Sequence, residues 1–353
     1  MTELFSSIDR EGHEQVVFCR DRSSGLRAIV AIHDTTLGPS LGGIRMREYA
    51  SESEALTDVL RLSQAMSLKA SLAGLEFGGG KAVILGTPSR ADRRALFRAM
   101  GRFIDSLGGR YVPTEDMGTY TADIERLRET CRYGVGVAEA RGGGGDPSPM
   151  TAWGVFCGMR AAMEAIGLDK GLTGKRVVVQ GVGKVGMALV RLLIDAGAEV
   201  AVSDVEERRL EEARTLGARS IGNADIHREP CTILSPCAAG GLLNERTIPE
   251  LGCRIVAGGA NNQLATEDDG DRLHARGVLY APDFAINAGG LINVADELGP
   301  GGYDRERAKA LTERIEPTLR RIFAESSKSG SPPSRIALRL ARERIVSRAR
   351  ASD

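Results

Sequence analysis

The 353-residue chain has no surplus of either charge: 47 Lys and Arg balance 47 Asp and Glu. Nucleic-acid binders rely on a basic excess to neutralise phosphates, so this balance gives no ground for such a partner. No run of about 18 apolar residues exists, the length a membrane-spanning helix needs. Residues 1–14 lack the apolar stretch of a secretory signal. Six cysteines, at 19, 131, 157, 231, 237 and 253, never form C-x-x-C, and only four histidines could join them as ligands. No metal site is therefore expected, and the scattered thiols fit reduced, mostly buried cysteines of a cytoplasmic protein. Aromatic residues are scarce at 4%, whereas glycine is abundant at 44 residues. Glycine clusters mark tight turns and places where backbone must pass close to a ligand or another segment.

Such a length suits two domains, each with its own core. In the first half, residues 16–19 and 26–33 read as strands, the latter from the alternation of Leu26, Ala28, Val30 and Ile32. A glycine turn is expected at 41–43. A helix is expected over 52–73, opened by the capping pair Ser51 and Glu54 and stopped by Gly74. A buried strand over 81–85 and helices over 90–107 and 121–130 follow. Residues 141–149 carry four glycines and two prolines, which fit neither helix nor strand, and read as an interdomain connection and hinge. Beyond them strand and helix alternate: strands at 176–180, 199–203, 233–234, 255–257 and 278–280, helices at 185–196 and 206–216. That alternation predicts a parallel sheet wrapped by helices. The charged tail from Asp304 is expected to be helical, broken near Gly330, and packed back on the first domain.

Val177-Val178-Val179-Gln180 runs straight into Gly181-Val182-Gly183-Lys184-Val185-Gly186 and then a helix. This is G-x-G-x-x-G in strand–turn–helix context. The first glycine permits the turn, the second lets a pyrophosphate approach the backbone, and the third lets helix and strand pack. The helix N-terminus then offers free N–H groups to phosphate. Asp204 ends the next strand, 23 residues after Gly181. Its carboxylate can bind both ribose hydroxyls and would repel a 2′-phosphate, so NAD is expected rather than NADP. A helix cap is the plainer role for Asp204, and the two are compatible.

A nucleotide fold does not name a reaction. Lys69 and Lys81 sit in apolar and glycine-rich surroundings, Met66-Ser-Leu-Lys-Ala70 and Gly78-Gly-Gly-Lys81. A lysine buried beside another cation has a lowered pKa, as a base working near neutrality requires. The glycines would let that backbone sit tight against a ligand or another chain. Asp116, in Pro113-Thr-Glu-Asp-Met-Gly118, is the third candidate. It could equally cap the helix after Thr119.

Taken together, these blocks resemble the amino-acid dehydrogenases of the glutamate, leucine, phenylalanine and valine group, and the leucine dehydrogenases most. The resemblance runs through LGPSLGGIRM (37–46), MSLKA (66–70), GGGK (78–81) and TEDMGT (114–119). It continues in GDPSPMTA (145–152), ANNQ (260–263), YAPDFAINAGG (280–290) and INVADEL (292–298). It implies a two-domain α/β fold: a substrate and oligomerisation domain from 1–140 plus about 325–353, a doubly wound Rossmann-type NAD domain over 141–324, and a cleft between them. It implies a homo-oligomer whose small-molecule partners are an amino acid, its 2-oxo acid and ammonia.

The resemblance also implies residue roles. Lys69 would hold the substrate carboxylate with Asn261, Lys81 would activate water, and Asp116 would shuttle protons to and from nitrogen. Gly42, Gly43 and Met66 would line the floor near the reacting carbon. Thr151, Asn261 and Asn287 would place the nicotinamide, and Cys237 and Ala238 would join the glycine turn in the cofactor crevice. Leu41 stands where glutamate dehydrogenases place a lysine for the side-chain carboxylate. A leucine there would leave that carboxylate buried and unpaired, at a cost of several kcal/mol. Leu41, Thr114, Leu291 and Val294 thus suggest a pocket for a branched aliphatic side chain. Three positions depart from the leucine enzymes: Ile44 replaces threonine, Thr114 alanine, and Leu291 valine. The change at Ile44 is expected to leave catalysis intact, whereas those at Thr114 and Leu291 keep alive the same chemistry on phenylalanine or tryptophan. A non-catalytic NAD-binding protein is the third reading, against which Lys69, Lys81 and Asp116 all argue.

Overall fold

The structure is a computed structural model describing residues 4–87, 93–238 and 240–352. The chain divides into two compact units: unit 1 holds residues 1–146, 293–305 and 341–353, and unit 2 holds 147–292 and 306–340. The first boundary falls inside the glycine- and proline-rich stretch. The chain returns to unit 1 twice, at 293 and at 341.

Unit 1 is built on five strands: β1 (Gln15–Asp21), β2 (Leu26–Asp34), β3 (Ser40–Arg47), β4 (Gly78–Leu85) and β5 (Tyr111–Glu115). Their order is β1-β2-β4-β3-β5. The β1–β2 and β2–β4 pairs are antiparallel, and β3 runs parallel to both β4 and β5. Its helices are α1 (Leu4–Glu11), α2 (Glu52–Leu72), α3 (Arg93–Asp105) and α4 (Thr121–Arg128). Of the helix expected over 90–107, residues 90–92 lie outside the described ones.

The period of two along β2 decides which helix covers which face. Ile29 and Ala31 point to α2, where they meet Ala55, Leu56, Val59 and Leu60. Ala28, Val30 and Ile32 point the other way, into a core with Phe97, Met100 and Ile104 of α3 and Ile124 and Leu127 of α4. The α2 N-terminus is capped as its sequence suggests: the Ser51 side chain accepts the Glu54 N–H at 3.1 Å.

Two glycine clusters do something different from what their sequence suggested. Residues 41–43, expected as a turn, lie inside β3, where Gly42 and Gly43 pair with Pro113 and Thr114. β4 begins at Gly78, three residues before the expected 81. In both cases the cause is crowding within unit 1. A Cβ on Gly42 would stand 1.9 Å from the Gly80 carbonyl oxygen, and one on Gly79 would stand 2.1 Å from the Ser67 backbone nitrogen of α2. Of the glycines before Lys81, Gly79 admits this chain's own helix, while a Cβ on Gly78 or Gly80 would crowd Asp34 or Ser40.

Unit 2 carries six parallel strands: β6 (Arg176–Gln180), β7 (Glu199–Ser203), β8 (Arg219–Ser220), β9 (Cys231–Pro236), β10 (Cys253–Val256) and β11 (Leu279–Tyr280). The order β11-β10-β9-β6-β7-β8 reverses direction at β6, as in a doubly wound dinucleotide fold. The remaining helices, in chain order, are α5 (Ser148–Ala165), α6 (Lys184–Asp195), α7 (Glu207–Thr215), α8 (Asp268–Ala275), α9 (Asp283–Ile286), α10 (Gly289–Asp296), α11 (Arg305–Glu313), α12 (Ile315–Ser329) and α13 (Pro333–Ser352). α5 starts within the stretch expected to be irregular. Pro149 sits in its first turn, where a missing N–H breaks no helical hydrogen bond. No helix among the described residues is long and apolar enough to cross a membrane.

Candidate active site

In unit 1 the site forms where β3 lies between β4 and β5. Lys81 stands on β4 and Asp116 directly follows β5. With neighbouring strands about 4.8 Å apart, the two side chains must meet over the intervening strand. They can do so because that strand presents Gly42 and Gly43. A Cβ on Gly43 would lie 2.6 Å from the Asp116 Cβ. With that space open, Lys81 Nζ reaches Asp116 Oδ2 at 2.9 Å, and the lysine is 5% exposed. The bare backbone is itself held in place: the buried Tyr111 hydroxyl donates to the Gly42 carbonyl at 2.8 Å.

Asp116 does not cap the next helix. α4 begins at Thr121, and the carboxylate of Asp123 accepts the N–H of Tyr120 at 3.1 Å. Asp116 is held instead by a turn in which its N–H donates to Thr119 Oγ1 at 2.8 Å and its carbonyl accepts the Thr119 N–H at 2.9 Å. Its carboxyl is drawn down to about 2. Burial pushes the other way, but the charges of Lys81 and Arg45 and the hydrogen bonds from Lys81 and the Met117 backbone outweigh it. Arg45, on β3, was not among the residues its motif drew attention to. An arginine next to an apolar strand reads as a surface charge until β3 and the turn after β5 are brought together.

Several other expected residues gather here. A Cβ on Gly42 would be 3.3 Å from Met66 Cγ, so α2 delivers Met66 to the glycine floor. Lys69, half-buried, follows three residues later on the same helix. Leu41 is fully buried between its partners Gly79 and Val112. Thr114 and Val294 converge on Gly136, whose Cβ would stand 2.5 Å from Thr114 Oγ1 and 3.7 Å from Val294 Cγ1. The Thr114 hydroxyl is buried without a hydrogen-bond partner. The glycine-rich stretch is pinned up to the unit boundary: Glu297 accepts the N–H of Gly136 at 3.0 Å and of Gly144 at 2.8 Å.

In unit 2 the glycine turn has the form a dinucleotide needs. Gly181 has φ +86, and a Cβ on it would stand 2.7 Å from that of Ala238. A Cβ on Gly186 would lie 1.9 Å from the Gly181 carbonyl oxygen, so α6 and β6 pack backbone to backbone. Gly183 is different, because its nearest neighbour would be Arg209 Nη1 at 3.7 Å. Nothing within the fold demands glycine there, which leaves the space for a pyrophosphate as the reason. Asp204 accepts the Val182 N–H at 2.8 Å and the Glu206 N–H at 2.9 Å, with Arg209 Nη1 3.8 Å away. These residues fit NAD.

The far side of the switch point is built by the 258–263 loop. A Cβ on Gly259 would meet Val185 at 2.8 Å and the Cys237 sulfur at 3.6 Å. The buried Gln263 amide donates to the Gly258 carbonyl at 2.8 Å and to that of Ala260 at 3.0 Å. The loop thereby presents Asn261, whose Oδ1 accepts from Asn287 Nδ2 at 2.8 Å. The Asn287 Oδ1 is buried with no partner, an acceptor waiting for a donor such as a carboxamide. Thr151 lies at Gly290, whose Cβ would stand 2.6 Å from its hydroxyl oxygen, and Leu291 follows, 7% exposed.

A doubly wound unit with an open glycine at its switch point, and a second unit carrying a buried lysine–aspartate pair, define a dinucleotide-dependent dehydrogenase. Comparison with known proteins sharpens this. The Glu/Leu/Phe/Val dehydrogenase dimerisation domain matches residues 13–133, and the glutamate/leucine/phenylalanine/valine dehydrogenase domain matches 142–208 and 204–350. Leucine dehydrogenase of Geobacillus stearothermophilus is 48% identical over 97% of this chain and 93% of its own length. Valine dehydrogenase of Streptomyces virginiae is 47% identical over 97% of this chain and 96% of its own. The crystal structure of L-tryptophan dehydrogenase from Nostoc punctiforme superposes with a TM-score of 0.85 at 41% identity, over 98% of this chain and 99% of that one. The chain belongs to the Glu/Leu/Phe/Val dehydrogenase family. It is an amino-acid dehydrogenase, and NAD is its cofactor.

Proposed function

We propose that the chain reversibly deaminates a branched aliphatic L-amino acid (leucine, valine or isoleucine) to its 2-oxo acid and ammonia. The reading rests above all on the buried Lys81–Asp116 pair, 2.9 Å apart beside the bare backbone of Gly42 and Gly43. Lys69 binds the substrate carboxylate. Asp116 takes a proton from the α-ammonium group and frees the nitrogen lone pair. Gly181–Gly186 and Asp204 would hold NAD, which would supply the acceptor for the hydride that leaves Cα. Lys81 orients a water and takes its proton as the oxygen attacks the imine carbon. Asp116 then returns a proton to nitrogen; the C–N bond breaks, ammonia departs, and the hydroxyl left on carbon gives its proton to the freed Asp116 carboxylate as the C=O bond forms. Asn287, with Asn261 and Thr151, orients the nicotinamide carboxamide.

The 2.9 Å pair also makes demands on the substrate side. Leu41 is apolar and fully buried, and Thr114 and Val294 add only a neutral rim, which suits an aliphatic side chain. The leucine and valine dehydrogenase relatives point the same way. An aromatic substrate is the second reading, favoured by the likeness to the tryptophan enzyme. We further infer a homo-oligomer formed through unit 1, where Phe18 on the edge strand β1 is 57% exposed. A cytoplasmic setting fits six cysteines that are all free.

The test is NAD reduction, followed optically, across a panel of L-amino acids at alkaline pH. Turnover is expected with leucine, valine and isoleucine, and weakly or not at all with glutamate. Tryptophan as the sole good substrate would replace the branched-chain reading. Lys81→Ala and Asp116→Asn are each expected to lower kcat by at least about 100-fold. Full activity in either variant would overturn its assigned role.

A further inference from the structure

Asp116 has two cationic partners, and the second has no place in the reaction just described. Arg45 Nε donates to Asp116 Oδ2 at 3.0 Å, and Lys81 Nζ approaches the same oxygen at 2.9 Å. Both cations take Oδ2. Arg45 is itself fixed from behind: its Nη1 donates to Asp58 at 3.2 Å and 3.4 Å. Asp58, on α2, is 8% exposed and is held in turn by the Tyr49 hydroxyl at 2.9 Å and by Arg47 at 3.8 Å. One guanidinium thus bridges two buried carboxylates, using Nε for one and Nη1 for the other.

We propose that Arg45, anchored by Asp58, is a positioning residue for the reaction: it fixes which Asp116 oxygen faces the substrate nitrogen and holds that carboxylate in place when Lys81 turns to water. The inference rests on the proton-shuttle reading of Asp116 given above. Three physical points support it. Lys81 has to serve water and cannot also restrain Asp116 throughout a turnover. A guanidinium stays charged under all working conditions, so it neither gives nor takes the shuttled proton. Its planar fork sets both partners in one geometry, which a lysine at the same place, a single flexible charge, could not reproduce. β3 supplies the placement, since Arg45 lies two residues beyond Gly43 on an extended strand and so on the same face.

The test compares Arg45→Met, Arg45→Lys and Asp58→Asn in the full-length protein. Arg45→Met is expected to lower kcat by about 10–100-fold while KM for the amino acid and for NAD changes less than about threefold. Arg45→Lys should recover only part of the loss, and Asp58→Asn should show the same split at smaller size. In an Arg45→Ala variant, added methylguanidinium should restore turnover while methylammonium should not. Rescue of that kind separates positioning from a folding defect, and NAD binding by each variant checks that the protein is intact. In an Asp116→Asn background, Arg45→Met should bring no further loss. Wild-type kcat in Arg45→Met, equal rescue by both cations, or a full additional loss on top of Asp116→Asn would overturn the proposal. Wild-type turnover in Asp116→Asn alone would instead overturn the shuttle reading beneath it.

Discussion

His13 offers a quantitative test of how unit 1 is held together. It precedes β1, is 8% exposed, and its Nε2 lies 3.1 Å from the Leu60 carbonyl and 2.8 Å from Ser63 Oγ. Its Nδ1 is buried without a partner, so a second ring proton would have no acceptor. His33 stands edge-on, ring centroids 4.9 Å apart, and is itself hydrogen-bonded to Ser67. Burial first, and His33 second, lower the His13 pKa from 6.5 to about 4. The folded form therefore resists a proton that the unfolded chain accepts. Stability is whole above the unfolded value and falls as pH drops from about 6.5 towards 4. A difference of roughly 2.5 units corresponds to about 3 kcal/mol in full, of which about 2.5 kcal/mol is lost by about pH 4.5.

The carboxylates, among them Glu297, which burial pushes up, titrate alike in the wild type and in a His13 variant and cancel from the comparison. Asp116, drawn down to about 2, gives up its contribution below pH 4. His13→Gln keeps an N–H for the Leu60 carbonyl but cannot titrate. Urea unfolding of both proteins from about pH 7.5 to 4.5 gives the comparison. The wild type should lose about 2.5 kcal/mol more than the variant across that range, starting from a similar value at the top. Parallel curves would refute the argument.

The glycine turn gives a contrast between neighbours. Gly186→Ala should destabilise unit 2 by several kcal/mol, because its Cβ would lie 1.9 Å from the Gly181 oxygen. Gly183→Ala, with 3.7 Å of clearance, should leave the melting temperature within a degree or so and weaken NAD binding by about tenfold or more. At the ribose end, Asp204→Ser removes the carboxylate and with it the repulsion of a 2′-phosphate, while Arg209, now 3.8 Å from it and paired with Glu206 at 2.8 Å, stays close by. The ratio of kcat/KM for NAD over NADP should fall by about 100-fold, chiefly through loss of NAD binding and in part through gain with NADP.

The cofactor half was legible because its signal is local. Gly181, Gly183, Gly186 and Asp204 act through backbone sterics and a fixed strand-to-strand spacing, and these survive in the order of residues. Lys81 and Asp116 were legible through their unusual neighbours. What the linear order hid was anything created by strands coming together. Gly42 and Gly43 looked like a turn because glycine breaks a strand pattern. In β3 they stay extended, since Gly80 and Asp116 leave no room for side chains. Arg45 and Asp58 are 13 residues apart and meet only when α2 lies on the sheet. His13 and His33 likewise form a pair only across β1 and β2.

The division of the chain has a consequence for how the protein is made. Unit 1 draws on residues 4–146 and again on 341–352, segments that leave the ribosome far apart in time. That last segment is tied in firmly: Ser71 donates to the Ala341 carbonyl at 2.7 Å, and Arg344 donates to the Leu75 carbonyl at 2.8 Å and to Glu76 at 2.7 Å. Glu297, which holds Gly136 and Gly144, also arrives late. Synthesis at about 5–20 residues per second therefore leaves the early sheet without its closing helix for many seconds. During that interval Ser71, Leu75 and Glu76 are without the partners that Ala341 and Arg344 supply. A chain that stalls before residue 341 would leave incomplete the unit that carries Lys81 and Asp116.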